Sequence, residues 1–513
     1  MGGDPHAPLL AAGRLGGLAQ ATRRRSLPSY PRALGDACEH HTLLIRRSGW
    51  TAGSNRYQPR VRCPVLKSLR LSGVGPSEHL DAAFKPRLNI VTGDNGLGKS
   101  FLLDIAWWAL TRKWPRELNR GLTSGDMARP SNGKAASIGF VVQAKTKAVQ
   151  YTSKFLARDQ AWTGRAGRPL NPGLVLYAMA DGSFAAWDPA RNYWRKRGNI
   201  DVQDRVPAYV FGPRDVWDGL RDPERGLLCN GMVADWASWQ KEDGAAFKQF
   251  SSVLKAISPS EEEPIVAGGF ARISIDDPRD VPTLKMPYGI DVPVIYASAG
   301  IKRITSLAYL LVWSWQEHRK ACALLGEATT SNLVFLIDEI EAHLHPRWQR
   351  SVVTALLDVM NVLAPQAEVQ MIVATHSPLV MASVETHFDP KRDAWFDIDL
   401  VRQERRKVPI VEFKEREFVR LGEVSNWLMS SAFDLKSARS REAEDVLEEA
   451  AQALSDDGFT AQKAHVLYGK LAAVLGDTDP FWVRWKYVGQ TKGWWKDEPP
   501  RTPHRVTPAR RKP

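Results

Sequence analysis

Short apolar runs alternate along the chain with longer stretches whose apolar residues recur at helical spacing, and their order predicts an α/β fold. Leu88-Asn89-Ile90-Val91 is short and apolar enough for a buried parallel strand, and Phe101–Leu110 behind it reads as a helix. Leu333–Ile337 and Val369–Thr375 read as two more buried strands, and Leu307, Leu310, Leu311 and Trp315 mark a further helix. The first strand-like pattern is Val65–Leu71. Buried strands separated by helices predict a sheet that is largely parallel.

The stretches between these elements are patterned differently. Leu174–Ala178 and Ser183–Trp187, joined through Ala180-Asp181-Gly182, predict a β-hairpin with an Asp-Gly turn. Residues 230–257, with Trp236, Trp239, Phe247, Phe250 and Leu254, predict helix, and Phe270–Ile275, Thr283–Met286 and Val292–Tyr296 predict strands. No a/d heptad persists here, which excludes a long coiled-coil arm. The pattern predicts an inserted α+β subdomain at about 145–265. Past residue 385, Val419–Met429, Arg439–Leu454 and Thr460–Leu475 have helical spacing, with Glu442, Glu444 and Asp445 in early turns. A mainly helical C-terminal lobe over 386–495 follows. It carries no acidic triad or His–Asn–His cluster of the kind a nuclease uses.

Composition adds boundaries. The chain has 513 residues, too many for one simple core. No run approaches the roughly 20 apolar residues that span a bilayer, and Leu9–Leu18 is too short and broken for a signal peptide. Cys38, Cys63, Cys229 and Cys322 lack disulfide or metal-ligand spacing, which fits a cytoplasmic protein. The net charge of +13 sits at the ends: residues 1–62 hold ten Arg against three acids, and residues 496–513 hold six basic residues against two. Both ends read as disordered basic extensions. The body between them is nearly neutral, which weakens a DNA-binding reading built on charge alone. Of the 19 tryptophans, the Arg-flanked Trp194, Trp348 and Trp485 could stack on bases, but core or subunit contacts are the expected use.

Chemistry enters with Gly93-Asp94-Asn95-Gly96-Leu97-Gly98-Lys99-Ser100, which fits G-x-x-x-x-G-K-[ST] between a strand and a helix. Its glycines let backbone N–H groups curl around phosphate oxygens at a helix N-terminus. Lys99 is placed to reach the β- and γ-phosphates of ATP, and Ser100 to ligate Mg²⁺. Asp338 and Glu339 end the Leu333–Ile337 strand, where open α/β sheets place ligands. Asp338 is read as a Mg²⁺ ligand and Glu339 as the general base for water. His376 follows the third strand and is read as reaching the γ-phosphate or that water. Ser298-Ala299-Gly300 opens a helix and offers another anion site.

This order (phosphate loop, small-residue helix start, apolar-Asp-Glu strand, strand-His) resembles the ABC-type AAA ATPases, related to the RecF and SMC heads, over roughly residues 64 to 385. The resemblance implies a P-loop NTPase of ABC type over 63–385, with an antiparallel β subdomain. Ser298-Ala299-Gly300 then looks like a divergent signature motif that contacts nucleotide held by a second subunit. His376 looks like the switch histidine, and Glu341-Ala342-His343-Leu344-His345-Pro346 occupies the place of the D-loop. E-x-H-L-H-P is similar to soluble ATPases of the OLD and Septu type, associated with defence against phage. His343 and His345 are read as shaping the dimer face rather than holding a metal. Two places fit the family's Q-loop: Gln143, and Gly212-Pro213-Arg214-Asp215-Val216-Trp217, which lacks a glutamine. The resemblance implies an ATP-driven homodimer or higher oligomer that regulates a separate nuclease or toxin, with no membrane partner. A RecF-like repair ATPase acting directly on DNA is the alternative.

Overall fold

In a computed structural model of the chain, the described residues are 64–495 without 132–134, 144–146, 166–167, 169, 199, 204, 206 and 403–407. The basic segments 1–62 and 496–513 and two of the cysteines, Cys38 and Cys63, lie outside the described residues.

The chain opens with β1 (Leu66–Ser72), β2 (His79–Ala83) and β3 (Leu88–Gly93), then α1 (Lys99–Thr111) and the short α2 (Pro115–Leu118). Strands β4 (Ser137–Gln143), β5 (Ala148–Leu156), β6 (Ala161–Trp162), β7 (Leu174–Ala178) and β8 (Phe184–Trp187) follow. Next come β9 (Trp194–Arg197), β10 (Ile200–Gln203), β11 (Ala208–Phe211), α3 (Asp215–Asp218), β12 (Leu220–Asp222) and β13 (Gly226–Cys229). Helices α4 (Met232–Glu242) and α5 (Ala245–Ala256) precede β14 (Val266–Ala271), β15 (Val281–Lys285) and β16 (Asp291–Pro293). The long α6 (Ala299–Leu325) leads to β17 (Asn332–Asp338), α7 (Pro346–Gln349), α8 (Val352–Leu363), β18 (Glu368–Ala374) and α9 (Pro378–Val384). Strands β19 (Asp393–Val401) and β20 (Ile410–Arg416) and helices α10 (Val424–Leu428), α11 (Arg441–Ser455), α12 (Ala461–Val474) and α13 (Phe481–Thr491) complete it.

Eight strands form the central sheet in the order β11-β8-β7-β17-β18-β3-β19-β20. The middle five, β7 to β19, run parallel, with antiparallel strands at both edges. Because successive side chains point to opposite faces, each central strand divides its residues between two cores. Val91, Val334, Leu336, Ile372 and Ala374 pack with α1 and the antiparallel sheet β2-β1-β4-β5-β6. Ile90, Leu333, Phe335, Ile337, Met371 and Val373 pack with residues of α5, α6, α8 and α9 on the other side. Strands buried on both faces have to read as continuous apolar runs, and these do. The chain thus has an α/β fold: a central sheet, parallel in its middle, with a separate antiparallel β sheet packed on one face.

Polar residues inside the runs tie the sheets together. Gln370 Oε1 accepts from the Leu66 N–H (2.9 Å), and its Nε2 donates to the carbonyls of Leu66 (2.9 Å) and Lys85 (3.0 Å). Asn89 donates through Nδ2 to Lys85 (2.9 Å) and Met371 (3.1 Å) carbonyls and accepts from the Lys85 N–H (2.7 Å). Both satisfy backbone groups that burial would otherwise leave unpaired.

Several sequence-based boundaries move. The Asp181-Gly182 hairpin forms, but β7 pairs in parallel with β17 and so belongs to the central sheet. A five-residue apolar run has the same pattern in a core strand and an accessory one, so pattern alone assigned it to the insert. The predicted helix over 230–257 is broken at Asp243, which adopts φ 47° and closes α4. The 386–495 lobe is divided: β19 and β20 join the central sheet, and α11 to α13 form a separate core around Leu467, Leu471, Trp482 and Trp485. No helix among the described residues is long and apolar enough to cross a membrane.

Candidate functional site

The phosphate-loop segment joins β3 to α1 through a turn that only glycines make without strain. Gly93, Gly96 and Gly98 have φ of 139°, 80° and 100°. At Gly93 a Cβ would lie 2.3 Å from the Ile398 carbonyl oxygen of β19, so the neighbouring strand also demands glycine. At Gly96 a Cβ would meet nothing within 4 Å, and Asp94, Asn95 and Gly96 are exposed. The loop is an open cradle at the N-terminus of a 13-residue helix.

Lys99 is buried, and its Nζ donates to the carbonyls of Gly93 (2.7 Å) and Asp94 (3.0 Å). Burial draws its pKa down, against the opposing pull of Glu339, Asp338, Glu341 and Asp94. Four carboxylates around one ammonium define the site's electrostatics. Asp338, at the end of β17, is 2 % exposed. Burial pushes its carboxyl up to about 6; the Ser100 hydroxyl pulls the other way, and Glu339 adds to the rise. Its Oδ1 is buried without a hydrogen-bond partner. An orphaned carboxylate oxygen beside a serine hydroxyl and a lysine suits a hard divalent cation, since Mg²⁺ takes oxygen donors.

Glu339 adopts φ 46°, an uncommon conformation for a side chain of its type, and its N–H donates to the Ala374 carbonyl (3.0 Å). His376, beyond β18, brings Nδ1 to 3.4 Å from Glu339 Oε1 and 3.7 Å from Glu341 Oε1. The phosphate loop, Asp338, Glu339 and His376 therefore converge at the carboxyl ends of β3, β17 and β18. The parallel registers of β17 with β18 and of β18 with β3 cause this convergence.

Three residues support this cluster without having been singled out as supports by sequence. Glu341 is buried and accepts at Oε1 from the Thr375 hydroxyl (2.5 Å) and the His376 N–H (2.9 Å). It fixes the backbone that carries His376. Arg303 Nη2 donates to the carbonyls of Met179 (3.1 Å), Glu339 (3.3 Å) and Asp338 (3.4 Å), bracing the ends of β7 and β17 from α6. Asp104, one turn beyond Ser100, accepts from the Tyr177 hydroxyl (3.0 Å), and burial pushes its carboxyl up to about 7. A charged residue inside the apolar Phe101–Leu110 run is the signal that could have found Asp104.

Ser298, Ala299 and Gly300 lie elsewhere. Ser298 caps α6, accepting from the Ile301 N–H (3.4 Å), and Ser298 and Ala299 are exposed. Gly300 is buried against the following turn: a Cβ there would lie 2.7 Å from the carbonyl oxygen of His343, which has φ 64°. Among the described residues no hydrogen bond links Ser298–Gly300 to the phosphate loop. His345 caps α7 through Nδ1. Among the described residues no group of three or more His, Cys, Asp or Glu side chains could hold a metal by itself. Gln143 ends β4 in the antiparallel sheet, and Asp215, in the other candidate Q-loop, accepts from Asn119 and Gly212. Trp485 is fully buried, so base stacking is closed to it.

A family profile described as "AAA domain, putative AbiEii toxin, Type IV TA system" matches residues 88–382. The "Retron Ec83 probable ATPase" of Escherichia coli is 26% identical over 168 residues, which are 32% of this chain and 26% of that protein. The "Retron Vc95 probable ATPase" of Vibrio cholerae serotype O1 biovar El Tor is 43% identical over 51 residues, 10% of this chain and 9% of that one. The matched segments thus span about a quarter or less of these relatives' lengths. Among solved structures, an SMC head bound to the C-winged helix domain of ScpA is 15% identical, with a TM-score of 0.34 over 69% of this chain and 98% of that one. The SMC head domain from Thermotoga maritima is 14% identical, with a TM-score of 0.32 over 68% and 98%. These low scores add nothing to the topology described above. The family profile covers more than half of the chain, and the chain belongs to that AAA domain family.

Proposed function

We propose that the chain binds ATP with Mg²⁺ and hydrolyses it, closing head to tail on a second copy as it does so. The observation that carries the reading is the convergence of Lys99, Asp338, Glu339 and His376 at one sheet end beneath an open glycine loop. Backbone N–H groups of Gly93, Asp94, Asn95, Gly96, Leu97 and Gly98 cradle the phosphates, and Lys99 leaves the loop carbonyls to neutralise the β- and γ-phosphates. Ser100 and Asp338 hold Mg²⁺, which when bound neutralises charge on the phosphate oxygens. Glu339 accepts the proton of the attacking water. His376, within 3.4 Å of Glu339, orients that water or the γ-phosphate. Glu341 and Arg303 position these groups without touching substrate.

Ser298, Ala299 and Gly300 complete the site of the other subunit. The exposure of Ser298 and Ala299 at the start of α6, with no hydrogen bond to their own phosphate loop among the described residues, supports this. The biological reading is control of a partner effector, a nuclease or toxin, in antiphage defence; the retron names of both relatives support it. The free, buried Cys229 and Cys322 fit a reducing cytoplasm.

The test is ATP turnover and light-scattering mass of the wild type and Glu339→Gln, with and without duplex DNA. Glu339→Gln is expected to lower turnover at least about 100-fold and to trap an ATP-dependent dimer. Normal turnover in the variant removes Glu339 from its role. A mass that ignores ATP removes the composite site. Stimulation by DNA moves the RecF-like alternative ahead of effector control.

A further inference from the structure

At the end of α1 opposite Lys99, the antiparallel sheet closes over a cavity of about 490 Å³ walled by Trp108, Trp114, Phe140, Tyr151, Trp162 and Trp194. The Trp108 and Trp114 rings stack at 5.2 Å, and Trp162 lies 6.1 Å from Trp108. Arg112 ends the helix in a left-handed conformation, φ 61°, and its guanidinium enters this ring cluster. Its Cζ lies 3.8 Å above the Trp108 ring, 5.3 Å from that of Phe140 and 5.7 Å from that of Tyr151.

The hydrogen bonding of this guanidinium is incomplete. Nη2 donates to the Thr163 carbonyl (3.1 Å), whereas Nη1 is buried without a partner. Among the described residues no carboxylate pairs with Arg112. Glu117, the acid in the cavity wall, is engaged by Lys113 at 2.7 Å. Two exposed arginines, Arg165 and Arg168, stand at the mouth. A desolvated cation without a counter-ion is costly, and ring faces return only part of that cost. Burial accordingly draws the Arg112 pKa down to about 10. The charge lacks an anion, and the ring-walled cavity of about 490 Å³ has the volume for a small ring.

We propose that this cavity binds a small anion carrying an unsaturated ring, the chemistry of a nucleoside monophosphate, with the ring among the tryptophans and the phosphate on Arg112. The site is distinct from the phosphate loop. Lys99 opens and Arg112 follows a helix of 13 residues, about 20 Å of rise. A free nucleotide and the phosphorylated end of a single strand share this chemistry.

The full chain is titrated with deoxyadenosine monophosphate, deoxyadenosine and a short 5′-phosphorylated single strand, followed by tryptophan fluorescence and calorimetry. Wild type and Lys99→Ala are expected to bind the monophosphate alike. Arg112→Gln weakens it about tenfold or more, the loss of a charge-assisted hydrogen bond, and deoxyadenosine binds the wild type as weakly as the monophosphate binds that variant. Trp194→Ala, at a half-buried ring, weakens binding about fivefold with unchanged thermal stability, and decides the matter if Arg112→Gln fails to fold. Tighter binding of the strand than of the monophosphate assigns the site to strand ends; equal or weaker binding assigns it to free nucleotide. The proposal is overturned by absence of saturable binding to the wild type. It is equally overturned by full affinity for the phosphate-free nucleoside, or by binding that Lys99→Ala abolishes and Trp194→Ala spares.

Discussion

Asp338 holds its charge against its surroundings, and that opposition has a measurable sign. Its carboxyl is raised from 3.8 to about 6 in the fold, so folding takes up a proton between about pH 4 and 6. Stability is therefore lost as the pH rises through that window and stays lower above it. Asp338→Asn is expected to raise unfolding free energy at pH 8 by roughly 1–3 kcal/mol, with little gain at pH 4, while abolishing Mg²⁺-dependent turnover. Denaturant melts at the two pH values check it; equal effects at both would place the burden on something other than this ionisation. Gly93→Ala, with its Cβ 2.3 Å from the Ile398 oxygen and φ 139°, is expected to destabilise the fold by at least about 2 kcal/mol, read as a lower thermal midpoint. The residues that sequence reading proposes as nucleotide ligands are those marked by local spacing, such as Lys99 after its glycines. Glu341, Arg303 and Asp104 act through partners in other elements: Glu341 bonds Thr375 across 34 positions and Arg303 bonds Met179 across 124. No local pattern carries such a pairing.

Among the elements, the buried strands were legible because a strand covered on both faces admits few polar residues. Their neighbours in the sheet were not, since periodicity specifies an element and not its place. The hairpin β7–β8 illustrates this: its Asp181-Gly182 turn was readable, its parallel pairing with β17 was not. The start of α6 and the His343 turn are joined by one close approach. Gly300→Ala would bring a methyl to 2.7 Å from the His343 oxygen and force them apart, at about 1–3 kcal/mol. If both segments face a second subunit, this variant keeps a folded monomer and loses the ATP-dependent rise in mass. Retention of that rise, seen by light scattering, would detach Gly300 from subunit closure.

The described residues form a two-cored head and a helical unit with a core of its own. The core of α11 to α13 is built only from residues between Ala443 and Trp495, and Arg439 pairs within the same unit, with Asp479 at 2.9 Å. Removing residues 437–513 is therefore expected to leave the melting temperature of the head within about 3 °C; a larger fall in calorimetry would reveal a shared core. The division of charge between near-neutral body and basic ends was readable by counting, whereas the extent of the head was not, because β19 returns to β3 from beyond the apparent boundary at 385. That return decides how the gene can be cut for expression. A recombinant fragment stopped at 385 bares the long edge of β3, apolar and flat, as a template for other chains, and inclusion bodies are its expected fate. One extended through Lys436 keeps that edge covered, retains the buried Trp427 of the head core, and is expected to elute as a folded species on gel filtration.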